Sequence, residues 1–114
     1  MFVIEFSEPT LSLNKLQRLH WAARKRVRDS YEQCFRLHAR PEHRAKRSQF
    51  RHVTIERHGL KQLDHDNFVG GCKPLVDALI RARLIWDDSP DFLTVDYIQC
   101  KAKRSKTKTV VRVI

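Results

Sequence analysis

The sequence of 114 residues predicts a two-layer α+β domain, with a mixed or mainly antiparallel sheet and two helices. Three observations support this fold class: short alternating apolar segments near both ends, a long amphipathic stretch over residues 13–38, and a second stretch of helical spacing after residue 72. The predicted element order is β-α-β-β-α-β-β, without an internal repeat or a linker. The length fits one domain over residues 1–114 with one hydrophobic core.

The first predicted strand is the N-terminal segment MFVIEF, in which apolar side chains alternate, and the segment SEPT ends it. Residues 13–38 then predict one helix of about 25 residues, roughly 38 Å long. Ser12 or Asn14 is its expected N-cap, and Pro41 marks the stop. The apolar stripe of this helix would consist of Leu16, Leu19, Ala23, Val27, Tyr31, Cys34 and Leu37.

The later elements follow from similar patterns. The segment FRHVTIERH predicts a strand with Val53 and Ile55 on one face, and LKQLDHDNF is strand-like until Asp and Asn favour a helix start. The second helix is expected to run to about residue 83, beginning near either Asn67 or Cys72, since proline at position 74 suits a first helical turn. The segments FLTVDYIQCKA and TKTVVRVI predict a closing hairpin through the basic turn KRSK.

Charge is distributed unevenly along this chain, whose formal net charge is +10. Residues 1–60 hold 13 basic and 6 acidic residues, residues 61–96 hold 4 and 7, and residues 97–114 hold 6 and none. Basic flanks favour nucleic acid as the partner, because neutralising phosphates releases condensed counterions. A solvated surface is the alternative interpretation. The basic residues that we expect to contact DNA are Arg18, Arg24, Lys25, Arg28, Lys101, Lys103 and Arg104.

The acidic middle of the chain predicts a cation site. On the expected strand, Asp64 and Asp66 would project from one face, about 7 Å apart. Two neighbouring carboxylates stay ionised most easily around a divalent cation, and Mg²⁺ prefers carboxylate, water and phosphate oxygens. Asp87 or Asp88, after the second helix, would complete a three-carboxylate site. The residue types therefore suggest metal-assisted phosphodiester hydrolysis.

Lys73 is the candidate residue for stabilising the charge that develops on the scissile phosphate. The same residues have a structural interpretation, in which the aspartates form turns or helix caps. Lys73 and Asp77, at positions i and i+4, would then be an exposed ion pair of little energetic value.

The segment LDHDNFVGGCKPLVDALIRARLIWDD resembles the core motif of the RusA family of Holliday junction resolvases. In that motif, Asp-x-Asp-Asn is followed by a lysine, by an aspartate one helical turn later, and by a paired Asp-Asp. The earlier segment PTLSLNKLQRLHWAARKR, which contains Asn14, is similar to the Pro-Ser-x-Asn segment and basic helix of phage-borne members. The resemblance covers about residues 9–100. VGG has the position of an insertion relative to the shortest version of the motif.

The resemblance implies a small homodimeric endonuclease that cuts four-way DNA junctions on paired strands, in DNA recombination and repair. It implies Mg²⁺ as the cofactor, which Mn²⁺ can replace. The related alternatives are a nuclease for flaps or replication forks and a basic DNA-binding module without catalysis. The residues implied are the metal ligands Asp64, Asp66 and Asp88 (with Asp87 less favoured), the functional lysine Lys73, and the motif residues Asn14, Asn67 and Asp77.

The remaining features of the sequence constrain location and redox chemistry. No apolar stretch reaches 18 residues and the N-terminus lacks the basic region of a signal peptide, so we expect a cytoplasmic protein with no membrane partner. By resemblance, the cell would be bacterial or phage-infected. Cys34, Cys72 and Cys100 are widely spaced and predict reduced, mostly buried thiols. The six histidines show no metal-ligand spacing.

Overall fold

The computed structural model describes all 114 residues and has two layers, a four-stranded sheet and helices packed on one of its faces. The strands are β1 (Phe2–Phe6), β2 (Arg51–Gly59), β3 (Leu93–Lys101) and β4 (Lys108–Val113). The helices are α1 (Leu13–Arg18), α2 (Trp21–His38), α3 (His65–Gly71) and α4 (Lys73–Arg81). The two-layer α+β class predicted from the sequence is confirmed.

The sheet is mixed and has the strand order β1-β4-β2-β3. β4 pairs antiparallel with both β1 and β2, whereas β2 and β3 pair in parallel. The predicted closing hairpin is wrong, because β2 lies between β3 and β4. Two physical reasons favour the observed order: α3 and α4 form the crossover that parallel neighbours require, and the nearly continuous apolar run TVVRV suits a central strand.

The strand predicted around LKQLDHDNF does not form, so the sheet has four strands instead of five. Both edges of β2 are already paired, by β3 and β4, so residues 60–64 cannot form a hairpin with β2. Side chains hold this connection instead. Arg57 donates from Nε to the Thr10 carbonyl at 2.9 Å and from Nη1 to the Lys61 carbonyl at 3.1 Å. Leu63 exchanges two hydrogen bonds of 2.8 Å with the side-chain amide of Gln99 on β3.

The single long helix predicted for residues 13–38 is instead two helices. Leu19 has an extended backbone (φ −78°, ψ 144°) that ends α1, and His20 Nδ1 accepts a hydrogen bond from the Ala22 amide to cap α2. Ser12, one of the two expected caps, caps α1. The predicted stripe is otherwise retained, since Ala23, Val27, Tyr31 and Cys34 are partly buried. It is wrong at the end of α2, where Phe35, one turn after Tyr31, is fully buried and Leu37 is 82% exposed.

One hydrophobic core lies between the sheet and the helices. Val53 and Ile55 on β2 are fully buried in it, as the alternation predicted, and Phe6 packs edge-on against Phe35 of α2. The intervening residues of β2 project from the opposite face of the sheet, where they stay partly accessible. No helix of the structure combines the length and the apolar character needed to cross a membrane.

Candidate active site

The first acidic part of the candidate site is the start of α3. Asp64 is the N-cap: its Oδ1 accepts a hydrogen bond from the Asn67 amide, and its Oδ2 accepts one from Asn67 Nδ2, both at 2.9 Å. An aspartate suits this position because it satisfies a free N–H group and its charge interacts favourably with the helix dipole. Asn67 Oδ1 in turn accepts from the Asn14 amide at 3.3 Å. Asn14, Asp64 and Asn67 therefore connect α1 to the start of α3.

The predicted arrangement of Asp64 and Asp66 on one face of a strand is wrong. Asp64 precedes α3 and Asp66 lies in its first turn, where residues two apart do not face each other. Both are exposed. The carboxylates of Asp64, Asp66 and Asp88 do not all lie within 4.8 Å of one another. The acidic residues are thus near the same helix start without forming the side-by-side pair that strand geometry would produce.

The glycine pair of the VGG segment completes α3 and allows a close contact. A Cβ atom on Gly71 would lie 1.9 Å from the Leu11 carbonyl oxygen, and one on Gly70 would lie 2.8 Å from Leu13 Cδ2. Only glycine therefore lets α3 approach the backbone that precedes α1. After Cys72, α4 begins at Lys73 with Pro74 in its first turn. VGG, which has the position of an insertion in the motif, therefore forms the last turn of α3, and Lys73 follows it after Cys72.

Lys73 joins two carboxylates from different parts of the chain. Its Nζ donates to Asp77 Oδ1 at 3.2 Å, one turn further along α4, and to Asp88 Oδ2 at 3.3 Å, in the loop after α4. The hydrogen bond to Asp77 raises the pKa of Lys73, and the contact with Asp88 raises it further. Lys73 therefore remains cationic at neutral pH. Of the Asp87 and Asp88 pair, Asp88 is the residue that reaches Lys73.

The end of α4 determines where Asp88 lies. Arg83 has a positive φ of 63°, and the Leu84 amide donates back to the Leu79 carbonyl at 3.0 Å, which is the hydrogen bond of a Schellman cap. This turn directs Leu84 and Ile85 into the core, where they are almost fully buried. The loop that carries Asp88 is therefore anchored immediately before the aspartate pair.

Lys73 and Asp88 line a cleft of about 270 Å³ between the helices and the edge strand β3. Its other walls are mainly apolar and include Val76 of α4 and Tyr97 of β3. Phe68 of α3 packs edge-on against the Tyr97 ring at 5.7 Å and fixes the helix to the strand. Apolar walls strengthen the field of the charged groups, because they exclude part of the surrounding water.

The basic residues predicted to contact DNA fall into two groups. Lys101 and Lys103 line a cavity of about 740 Å³ beside the β3–β4 connection. The hydrogen bonds between Leu63 and Gln99 connect this end of β3 to the residue before Asp64. Arg104 is exposed on the same connection. The second group lies on α1 and α2 and consists of Arg18, Arg24, Lys25 and Arg28. In this group, Arg28 forms an ion pair with Asp29 at 3.2 Å.

Mg²⁺ fits the donor type of the acidic residues, because Asp64, Asp66 and Asp88 offer only carboxylate oxygens. Their present separation does not allow all three to bind one ion directly. Mg²⁺ commonly takes one or two carboxylates and keeps several waters; Asp88 lines the cleft, whereas Asp66 is exposed outside its lining. Both oxygens of Asp64 already accept hydrogen bonds, although each retains a lone pair.

Sequence patterns missed the residues that position this site. Arg57, which holds the connection before Asp64, has the same strand parity as the buried Val53 and Ile55. An arginine at an inward-facing strand position was therefore a usable signal. Tyr97 of the cleft wall had no such signal, since its position depends on the parallel pairing of β3 with β2.

In comparisons with known proteins, neither a protein-family model nor a curated protein matches this sequence.

Proposed function

We propose that this protein is a Mg²⁺-dependent, structure-specific DNA endonuclease that resolves four-way junctions, as its resemblance to the RusA family suggests. The observation that supports this most directly is the 3.3 Å contact between Lys73 Nζ and Asp88 Oδ2. These residues are 15 positions apart, and both belong to the motif that carries the resemblance. The contact supports the proposal because it brings the lysine and the last aspartate of the motif together at one cleft, whereas Asp64 and Asp66 lie outside the lining of that cleft.

Charge supports the same function. Four aspartates (64, 66, 77 and 88) lie on α3, on α4 and in the following loop, in a protein whose formal net charge is +10. A basic surface attracts the DNA backbone, whereas a local acidic cluster would repel phosphates unless a cation is bound there. A divalent cation resolves this conflict. Lys101 and Lys103 add positive charge at the end of β3, in the cavity beside the β3–β4 connection.

Each candidate residue then has a distinct role. Asp66 and Asp88 hold the metal ion, and Asp64 orders the start of α3 through Asn67. When bound, Mg²⁺ polarises the phosphate and lowers the pKa of the attacking water. Lys73 supplies a fixed positive charge beside Asp88, where it stabilises the charge that grows on the phosphoryl oxygens. Asp77 orients the Lys73 ammonium group.

The proposal extends to the assembly and its location. A four-way junction offers two symmetric strands, and a homodimer with twofold symmetry offers two active sites. The cytoplasm of a bacterial or phage-infected cell is the proposed location, since that is where such junctions arise.

A fork or flap nuclease would use the same residues on another DNA shape. A non-catalytic module would use the ion pairs of Lys73 only as surface contacts, which contribute little stability.

The test compares cleavage of a synthetic four-way junction with cleavage of linear duplex of the same sequence. With Mg²⁺ or Mn²⁺, the wild-type protein should nick the junction at symmetric positions and leave the duplex intact. Asp66→Asn should abolish nicking because it removes a metal ligand, while junction binding in a gel-shift assay survives. The control is Asp91→Asn, which neutralises an exposed aspartate that is not one of the proposed metal ligands.

The possible outcomes separate the candidates. Equal cleavage of junction and duplex contradicts junction resolution, and stronger cleavage of flaps or forks favours that related nuclease. Binding without cleavage in either metal favours the non-catalytic module. If Asp91→Asn loses as much cleavage activity as Asp66→Asn, the loss is caused by the change in total charge and not by removal of a metal ligand.

A further inference from the structure

A second cluster of chemically active side chains lies on the open face of the sheet. Glu56 and His58 are two residues apart on β2, and Cys100 is the partner of His58 in the parallel pairing with β3. Alternation along both strands places the three side chains on one face. One ligand atom from each residue lies within 4.8 Å of the other two. No other combination of three His, Cys, Asp or Glu side chains in the chain meets this condition.

This cluster is separate from the cleft that contains Lys73. The cleft is lined by Leu93, Val95 and Tyr97, the residues of β3 that face the helices. Side chains alternate along β3, so Cys100 projects from the opposite face to Leu93, Val95 and Tyr97 and points away from the helices. The two clusters therefore lie on opposite sides of the sheet.

The donor atoms of this cluster are those of a transition-metal site. Imidazole nitrogen, thiolate sulfur and carboxylate oxygen are the usual ligands of Zn²⁺, whereas Mg²⁺ avoids sulfur. His58 Nε2 and Glu56 Oε1 are 3.0 Å apart. Two such atoms bound to one tetrahedral Zn²⁺ would be about 3.3 Å apart, so the pair needs only a small displacement to receive the ion.

The surroundings hold Glu56 ready as a ligand. Its side chain is 19% exposed and that of His58 is 21% exposed. Burial alone would raise the pKa of Glu56, but the hydrogen bonds from His58 and Arg112 outweigh burial and lower it. Arg112 Nη1 donates to Glu56 Oε2 and so fixes the carboxylate, as outer partners of metal ligands commonly do. The charge of Arg112 opposes a cation, and two anionic ligands, Glu56 and the Cys100 thiolate, offset it.

We propose that Glu56, His58 and Cys100 bind one Zn²⁺ or a similar thiophilic divalent ion through three protein ligands and one open position. His58 also lines the cavity of about 740 Å³ at the β3–β4 connection, so the open position faces water in that lysine-lined space. Binding forms the Zn–S bond as the Cys100 thiol releases its proton to solvent. The proton on His58 Nε2 that faces Glu56 also leaves through solvent, with the neutral ring keeping its proton on Nδ1, so the Nε2 lone pair binds the ion in place of the His58–Glu56 hydrogen bond. The ion would cross-link β2, through Glu56 and His58, to the edge strand β3, through Cys100. This proposal does not depend on nuclease activity.

The test is a titration of the full-length, reduced, metal-free protein with Co²⁺, a spectroscopic substitute for Zn²⁺. We expect one Co²⁺ per chain, a thiolate-to-cobalt charge-transfer band, and its loss when Zn²⁺ displaces cobalt. Cys100→Ser should remove the band, and His58→Gln should lower the affinity by more than about 10-fold. Zn²⁺ should also raise the midpoint of thermal unfolding of the wild type and leave that of Cys100→Ser unchanged.

The matched control is Cys34→Ser. Cys34 is the other partly accessible cysteine, and its Sγ lies 3.9 Å from His38 Nδ1 on α2. The proposal requires Cys34→Ser to keep the band. A band that disappears in Cys34→Ser, a band that persists in Cys100→Ser, or the absence of a thiolate band in the wild type would each overturn it.

Discussion

The two sides of the sheet hold clusters that are built in different ways. On the helix side, Lys73, Asp77 and Asp88 come from one short stretch of chain, and exposed side chains reach one another around the ends of α4. On the open side, Glu56 and His58 meet Cys100 only because β2 and β3 pair in a particular register. The first cluster depends on helix termini and the second on strand pairing.

This difference affects both chemistry and rigidity. The helix-side aspartates offer hard oxygen ligands on exposed side chains that can rotate toward a metal ion and a phosphate. The open-face cluster offers softer ligands held by neighbouring strands, with little freedom to rearrange. A site for catalysis on a large substrate suits the first arrangement. A site that retains one ion suits the second.

The largest expected effect concerns the helix-side cleft. Lys73→Met should lower the rate of junction cleavage about 100-fold, because it removes a fixed charge next to the reacting phosphate. The stability of the protein should change little, since the Lys73 side chain is 62% exposed and its ion pairs are screened by water. Single-turnover cleavage and urea unfolding measure the two effects.

The control for this prediction is Lys46→Met, an exposed lysine whose side chain makes no ion pair. If Lys73→Met cleaves junctions at the wild-type rate, Lys73 has no role in cleavage. A comparable loss in both variants would assign the effect to nonspecific attraction of DNA.

A smaller effect is expected at the contact that places α3. Gly71→Ala should lower the free energy of unfolding by about 1 to 3 kcal/mol, because the new methyl group meets the Leu11 carbonyl oxygen and the backbone must shift. Gly70→Ala is the matched control, since its methyl group meets the side chain of Leu13 (Cδ2, with Cβ and Cγ at 3.1 Å) and no backbone atom, and alanine favours a helix. Urea unfolding of both variants measures the difference. Equal stability of the two variants would contradict this close approach.

The smallest effect concerns the pH dependence of the open face. The folded protein lowers the pKa of Glu56 below its ordinary 4.5, so ionised Glu56 stabilises the fold above that pH, and this contribution is lost as the pH falls through the lowered value. Glu56→Gln should therefore cost about 1 to 2 kcal/mol at neutral pH and flatten the decline in stability below pH 4.5. Urea unfolding across this range, with a chelator present, tests it.

Glu42→Gln serves as the control, because Glu42 is exposed and forms no salt bridge. It should leave the acid side of the stability profile unchanged. An unaltered profile in Glu56→Gln would mean that the contacts with His58 and Arg112 do not stabilise the folded state.

Local patterns predicted the parts of the fold that depend on nearby residues. Alternation identified β1 and the buried Val53 and Ile55, and the proximity of Lys73 to Asp77 followed from helical spacing. The same patterns failed where a distant partner decided the outcome. Residues 60–64 could not form a hairpin with β2, whose two edges pair with β3 and β4, and Asp64 is a helix cap instead. Phe35, one turn after Tyr31, is in the core in place of Leu37.

By itself, the sequence determined the α+β class and the acidic stretch between basic flanks, and it suggested the residues of the proposed phosphate-cleaving site. These properties follow from composition, periodicity and short spacings, which involve only neighbouring residues. The tertiary structure alone decided that Asp88 reaches Lys73 and that Cys100 lies beside His58. Both contacts depend on chain direction and strand order, which are set by packing around a shared core and are not encoded in any local pattern.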